Sequence, residues 1–190
     1  LICQPCTAHI RVISSYATTP LKRIASGSMI AMIIALFGAP LANFAEAAQI
    51  SGRSLTLSDS SGGATGVSYT LGSSALPTSG TAVKSLKVQF CTAASGACTT
   101  PSGFSSSAST LSSQPTGLGA GSGWTANTSA SGELRVLNAA NATTPSGVVS
   151  VPWGGVANPT ANNTTFYGVI TTYSDAAWTT PLDSGVVAIS

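Results

Sequence analysis

Alternation of apolar and polar residues recurs along the chain beyond residue 48, and this pattern predicts β-strands. The clearest run is SLKVQF at 85–90, whose three apolar side chains share one face while the lysine and the glutamine share the other. Shorter alternating runs lie at 54–58, 67–71 and 134–136, and runs rich in apolar and β-branched residues predict more central strands at 147–151, 166–173 and 185–189. No window of this region combines a helical spacing of apolar residues with a charged back face.

Clusters of glycine, proline and serine separate these runs and predict the turns between the strands. The segment 124–137 is interpreted as a hairpin, and the Ser/Gly-rich stretch 99–123 as loops around one short strand near 108–112. Further turns are expected at Gly154-Gly155 and at 181–185. About seven to nine short strands without crossover helices predict an all-β fold, a two-sheet antiparallel sandwich of the Ig-like type.

An apolar run at 29–42 follows a Lys-Arg pair at 22–23, and together they predict the core and the positive flank of a signal peptide. The sequence AEA at 45–47 predicts cleavage after its last alanine, which divides the chain into a leader region, 1–47, and a mature β-sandwich domain, 48–190. The alternative is an uncleaved anchor, through which alone the protein would contact a membrane. A membrane span needs about 20 apolar residues, however, and glycine and proline interrupt this run.

The four cysteines form two pairs of different character. Cys91 and Cys98 flank a Ser-Gly turn, and in an exported chain this arrangement predicts a disulfide. Cys3 and Cys6 form a lone C-x-x-C, which is a weak metal motif because a structural zinc site needs four ligands and only His9 lies nearby. We therefore expect no metal ion and no other cofactor.

Charge and composition narrow the possible functions. Charged residues make up 6% of the chain, against about 25% in an average soluble domain. Beyond residue 48 there are four basic and four acidic residues, so the domain has no net charge, and we expect no binding to nucleic acid. The same region contains 26 serines and 21 threonines, which indicates a surface covered with hydroxyl groups.

The chemistry of an active site is missing from the same region. A serine nucleophile usually needs a base, and there is no histidine beyond residue 48. Asp175 and Asp183 are interpreted as turn residues, and Glu133 as an ion-pair partner of a neighbouring residue. The four Asn-x-Ser/Thr matches indicate exposed loops at most: Asn127, Asn141, Asn162 and Asn163. We therefore predict that the protein is not an enzyme.

The three tryptophans are candidates either for the core or for a contact surface. A buried tryptophan fills a core, whereas an exposed one on a sandwich can stack on a sugar ring. Trp153 follows a predicted strand and is expected in the core or at its rim, and Trp124 is also expected to be structural. Trp178 lies in a predicted loop and is therefore the best candidate for contact with a ligand or a partner.

Four segments of the domain can be compared with known proteins: FCT at 90–92, ACTTP at 97–101, FYGVITTYSD at 166–175 and DSG at 183–185. In these segments the chain resembles a group of exported β-rich surface proteins found among ultrasmall candidate-phylum bacteria. The resemblance covers about residues 52–190. It implies export and a location at the cell surface, and it assigns no catalytic residue.

The sequence as a whole predicts a secreted or cell-surface β-sandwich protein with a structural or adhesive, non-catalytic role. The expected partner is a second copy of the chain, or a polymer or protein of the cell surface. One alternative is a carbohydrate-binding module that uses Trp178. Another is a pilin-like surface subunit, although the processing motif of pilins does not occur in the sequence.

Overall fold

The computed structural model describes residues 48–77 and 80–190, and within these residues it contains ten β-strands and no helix. The strands are β1 (Ala48–Gln49), β2 (Ser54–Leu57), β3 (Val67–Ser73), β4 (Ser85–Cys91), β5 (Thr110–Leu111), β6 (Thr125–Ala126), β7 (Glu133–Leu137), β8 (Val149–Val156), β9 (Phe166–Tyr173) and β10 (Pro181–Ile189). Every run predicted as a strand overlaps one of these elements, and the predicted hairpin of 124–137 is the β6–β7 pair.

The strands form two sheets, which confirms the predicted all-β sandwich. The larger sheet has six strands in the order β1-β10-β9-β4-β7-β6, and the smaller has four in the order β2-β3-β8-β5. All pairs are antiparallel except β1 with β10. The chain runs parallel to β10 along the edge of the larger sheet for only two residues, and it then crosses to the smaller sheet as β2.

The core lies between the two sheets and is built by the alternation seen in the sequence. On β4 the side chains of Leu86, Val88 and Phe90 are buried, whereas Lys87 and Gln89 on the opposite face are partly exposed. Each fully buried apolar side chain of this size stabilises the fold by about 1.5–3 kcal/mol. The aromatic part of the core is formed by three rings in mutual contact: Tyr69, Phe90 and Phe104.

Gly154-Gly155 is not a turn, and that prediction was wrong. Both glycines lie inside β8, where the register places them opposite the single residue Ser68 of β3. This is a β-bulge, and Gly155 takes a φ of 78° there. A Cβ at Gly155 would lie 2.5 Å from the carbonyl oxygen of Ala108, so the glycine also permits close approach of two backbones.

The predicted turn at 181–185 was also wrong, because β10 begins at Pro181. Proline is tolerated as the first residue of a strand, where its missing N–H breaks no ladder hydrogen bond. Asp183 is consequently a buried strand residue and not a turn residue. The Asp183 carboxylate accepts a hydrogen bond from the Thr172 hydroxyl at 3.1 Å. The backbone N–H of Asp183 donates to the oxygen of that Thr172 hydroxyl at 3.0 Å.

Asn141 is buried, which corrects the expectation that its glycosylation-type sequence marks an exposed loop. Its amide nitrogen donates to the carbonyl oxygens of Val83 and Leu118 at 2.7 and 3.0 Å. Its amide oxygen accepts from the N–H groups of Thr143 and Ala120 at 2.9 and 3.2 Å. One side chain therefore holds three loop segments together.

Replacement of Asn141 by alanine should therefore lower the free energy of unfolding by about 2 kcal/mol, because two buried carbonyl groups would lose their donor. Urea denaturation would measure the change. Asn127→Ala is the matched control, since the Asn127 side chain bonds only to Ser129, and a loss of about 0.5 kcal/mol or less is expected there. Equal losses in the two variants would contradict the role given to Asn141.

Candidate functional site

The loop 174–180 joins β9 to β10 and is closed around the carboxylate of Asp175. This carboxylate accepts hydrogen bonds from the backbone N–H groups of Ala177 at 2.7 Å and Thr180 at 2.6 Å, and also from Thr179. The Ser85 hydroxyl donates to the Asp175 carbonyl oxygen at 2.6 Å and so ties the loop to β4. Asp175 is therefore the turn residue that the sequence predicted.

Partial burial raises the pKa of Asp175, but the hydrogen bonds from Thr179, Thr180 and Ala177 outweigh it and bring the pKa well below its ordinary value. The carboxylate is therefore ionised at neutral pH. Because the pKa is lower in the folded state, this contribution to stability is present above the unfolded pKa and is lost as the pH falls through the folded one. The loop keeps its shape over the whole neutral and mildly acidic range.

Trp178 projects from this loop with a left-handed backbone, at a φ of 57°. A bulky side chain in this region costs about 1–3 kcal/mol and persists only where the surroundings fix it, which here is done by the hydrogen bonds around Asp175. The side chain is partly buried, and its ring stacks on the guanidinium of Arg135, whose Cζ lies 4.8 Å from the ring centroid. The indole N–H is buried and has no hydrogen-bond partner among the described residues.

Arg135 belongs to an ionic cluster on the outer face of the six-stranded sheet. Its Nε lies 2.5 Å from one carboxylate oxygen of Glu133, and the Lys87 ammonium lies 3.4 Å from the other. The predicted ion-pair role of Glu133 is thus confirmed. The carboxylate is therefore held between two cations.

The strand register extends this cluster into a row across the sheet. Arg135 on β7 faces Lys87 on β4, which faces Thr171 on β9, which in turn faces Ser184 on β10. Trp178 lies over the Arg135 end of that row. We name the surface formed by Lys87, Glu133, Arg135, Thr171 and Trp178 the Trp178 face.

The other two tryptophans are structural, as expected. Trp153 is fully buried in the centre of the smaller sheet, between Tyr69 of β3 and Leu111 of β5. Trp124 is also buried, and its indole N–H donates to the Ala120 carbonyl oxygen at 2.8 Å. Trp178 is therefore the tryptophan of the chain that reaches the surface.

A pocket that the sequence did not predict lies at the opposite end of β9 and β10, with a volume of about 60 Å³. Its floor contains the buried rings of Tyr69 and Phe90, and its rim is formed by Asn162, Asn163 and Thr164. The one signal for it in the sequence is the polar run NPTANNTT at 158–165 directly before β9. From the sequence, Asn162 and Asn163 in this run were expected only to lie in an exposed loop.

The predicted disulfide is confirmed: Cys91 and Cys98 are bonded, with their Cα atoms 4.9 Å apart. The bond closes a short loop after β4, and the backbone N–H of Thr92 donates to the Thr99 carbonyl oxygen at 2.9 Å across it. The covalent link therefore holds the end of a central strand of the larger sheet.

The leader region 1–47, with Cys3, Cys6 and His9, lies outside the described residues, so its predictions stay predictions. Over 48–77 and 80–190, no group of three or more histidine, cysteine, aspartate or glutamate side chains is placed to hold a metal ion. A helix with the length and apolarity needed to cross a membrane is likewise not found in that part of the chain.

No family model matches the chain, and no curated protein is significantly similar to it. Among solved structures, the chain is similar to a cohesin module from a family 33 glycoside hydrolase of Clostridium perfringens, at 13% identity and a TM-score of 0.35. The similarity covers 75% of this chain and 96% of the module. At such a low TM-score the likeness carries no argument about function, and the fold is established by the two sheets themselves.

Proposed function

We propose that the protein is an exported, non-catalytic binding module with an adhesive or structural role at the cell surface, and that the Trp178 face binds a neutral surface polysaccharide. The observation that carries this proposal is the partly exposed ring of Trp178, which the loop holds in a costly backbone conformation. Strain of this kind clusters at binding sites, where it fixes the position of a side chain in advance.

The surroundings of the ring favour a neutral, hydroxyl-rich ligand. Aromatic rings bind the apolar face of a sugar, and the hydroxyls of Thr171 and Ser184 continue the row along which a polymer could extend. Glu133 pairs with both Lys87 and Arg135, so the Trp178 face keeps a net charge of only +1 and does not select a strongly charged ligand.

The non-catalytic part of the proposal is supported by what the carboxylates do. Asp59 accepts from the Ser61 N–H at 2.8 Å and Asp175 closes its loop, while Glu133 is paired with two cations. Asp183 is buried against Thr172. Each of these four acids among the described residues thus has a structural contact within the fold, which favours a non-catalytic role.

Export is supported by the disulfide, because such bonds form and persist in oxidising compartments. The predicted leader at 1–47 points the same way. Membership of the exported surface proteins of ultrasmall bacteria stays a proposal that rests on the sequence segments quoted above.

Association of copies of the chain through strand edges is less well supported than binding through the Trp178 face. Three of the four edge strands, β1, β5 and β6, are two residues long, and the fourth, β2, has four residues; short edges discourage pairing between chains. On β10 the Arg53 side chain donates to the Val186 carbonyl oxygen at 2.6 Å, which occupies part of the remaining edge. These features favour a face, rather than an edge, as the contact surface.

The proposal is tested by binding of the purified, disulfide-bonded protein to insoluble cellulose, chitin and peptidoglycan. Trp178→Ala should weaken binding to whichever polymer retains the protein by at least about tenfold. Trp178→Tyr should keep most of the binding affinity because an aromatic ring is preserved. The matched control is Val148→Ser. This variant removes an apolar side chain that is 72% exposed and does not belong to the Trp178 face.

Thermal unfolding of each variant would confirm that the fold is retained. The proposal is contradicted if none of the three polymers retains the protein, or if Trp178→Ala and Val148→Ser bind alike. Sedimentation over a range of concentrations would show whether copies associate instead, which is the outcome expected of a purely structural role.

A further inference from the structure

The pocket beside β9 and β10 is a second candidate site, separate from the Trp178 face. It lies where Leu57 ends β2, Phe166 begins β9 and Ile189 ends β10. Trp178 follows the far end of β9, and eight strand residues span about 23 Å. Each site can therefore be changed without contact with the other.

The floor of the pocket offers an apolar surface to a ligand. The hydroxyl of Tyr69 donates to the Asn158 side-chain oxygen at 2.7 Å, and the Asn158 amide donates to the Asp59 and Ser61 carbonyl oxygens, each at 2.9 Å. Burial raises the pKa of Tyr69, so the phenol stays protonated and uncharged. The polar atoms below the pocket are thus already satisfied within the protein.

The rim, in contrast, carries amide groups that are free for a ligand. The side-chain oxygen of Asn162 accepts from the Gly62 N–H at 2.8 Å, which leaves its NH₂ group available. Asn163 is exposed at a φ of 56°, and its side chain makes no hydrogen bond to another described residue. No charged side chain lines the pocket, so it favours an uncharged ligand.

We propose that this pocket binds the N-acetyl group of an N-acetylated sugar. The pocket, with a volume of about 60 Å³, joins an apolar floor to amide groups at its rim, which is the combination that an N-acetyl group presents. The acetyl methyl group would contact the apolar floor at Tyr69 and Phe90. The amide of the same group would exchange hydrogen bonds with the side chains of Asn162 and Asn163, which combine donors and an acceptor.

This proposal does not rest on polysaccharide binding at the Trp178 face. It requires only a ligand that joins a small apolar group to a neutral amide. An N-acetylated peptide presents the same acetamide group, so the test must distinguish an N-acetylated sugar from an N-acetylated peptide.

The test is titration of the purified protein with N-acetylglucosamine, glucose and an N-acetylated dipeptide, followed by NMR chemical shifts. We expect N-acetylglucosamine to bind at least tenfold more tightly than glucose, which lacks the acetamide group. Asn163→Gly should weaken its binding about tenfold, because glycine accepts the left-handed backbone and removes only the amide side chain. Asn127→Ala, which removes an amide far along the chain in the β6–β7 hairpin, should have no effect.

Three results would overturn the proposal: no shift with N-acetylglucosamine at its highest soluble concentration, equal binding of glucose, or binding of the acetylated dipeptide alone. Trp178→Ala distinguishes the two sites. If that variant loses N-acetylglucosamine while Asn163→Gly keeps it, the sugar binds at the Trp178 face and the pocket proposal fails. If Trp178→Ala keeps it and Asn163→Gly loses it, the pocket is the site whatever the polysaccharide test shows.

Discussion

Replacement of Trp153 by alanine is expected to lower the free energy of unfolding by about 3–5 kcal/mol. The side chain is fully buried in the central part of the smaller sheet, between strands β3 and β5. Its removal would take away the apolar contacts of an entire indole and leave a cavity that the paired strands on both sides cannot close. Urea denaturation followed by circular dichroism would measure the loss as a lower midpoint at unchanged slope.

Trp178→Ala is the matched control for this experiment, since it removes the same chemical group from a partly exposed loop position. Its cost should be small because removal of a ring at the surface leaves no closed cavity. A loss below about 1 kcal/mol for Trp153→Ala would contradict its place in the core. If Trp178→Ala proved the more destabilising of the two, Trp178 would be a structural residue and the proposed contact surface would lose its support.

Removal of the disulfide is expected to cost about 2.5 kcal/mol, the loop-closure entropy of a segment of roughly eight residues. Cys91 is the last residue of β4, a central strand, so the freed loop would also loosen the end of that strand. Cys91→Ser combined with Cys98→Ser would measure the effect in the same urea assay. Reduction of the native protein should give a similar loss, because Cys98 is exposed to a reductant.

The doubly substituted variant is also the control for the reductant, which should leave its stability unchanged. A native protein whose midpoint does not move after both thiols are shown to be free would contradict a stabilising role for the bond. Loss of export without loss of stability would show instead that the cysteines act before folding.

Local pattern was sufficient to predict the strands. The run at 85–90 became β4, with its apolar side chains inside and its lysine outside. The apolar run at 166–173 became β9 without any change in its limits. Alternation is a reliable signal here because one face of each strand must be apolar to pack against the other sheet.

Local pattern did not predict the correct element where one residue type occurs in both turns and strands. Glycine with a positive φ is found in turns and in bulges, so Gly154-Gly155 could not be assigned without knowing which strand lies opposite. Proline and aspartate favour turns, yet Pro181 opens β10 and Asp183 is buried within it. Their environment is set by the register with β9, which no local pattern contains.

Of the two candidate sites, one residue could be selected from the sequence, whereas the pocket could not. Trp178 could be selected from the sequence because it lies in a predicted loop between Asp175 and Pro181, but its stacking on Arg135 joins residues 43 positions apart. The pocket was missed because its floor and rim come from β2, β3, β4 and the segment before β9. Only the packing of the two sheets brings these residues together.

The sequence by itself determined the fold class, the short disulfide loop and the absence of net charge in the domain, because alternation, cysteine spacing and composition are local or additive properties. The tertiary structure alone decided which polar residues are buried, such as Asn141 and Asp183, and which residues they bond to. The physical reason is that burial and hydrogen-bond partners depend on contacts between residues far apart in the chain, and those contacts exist only after the sheets have packed.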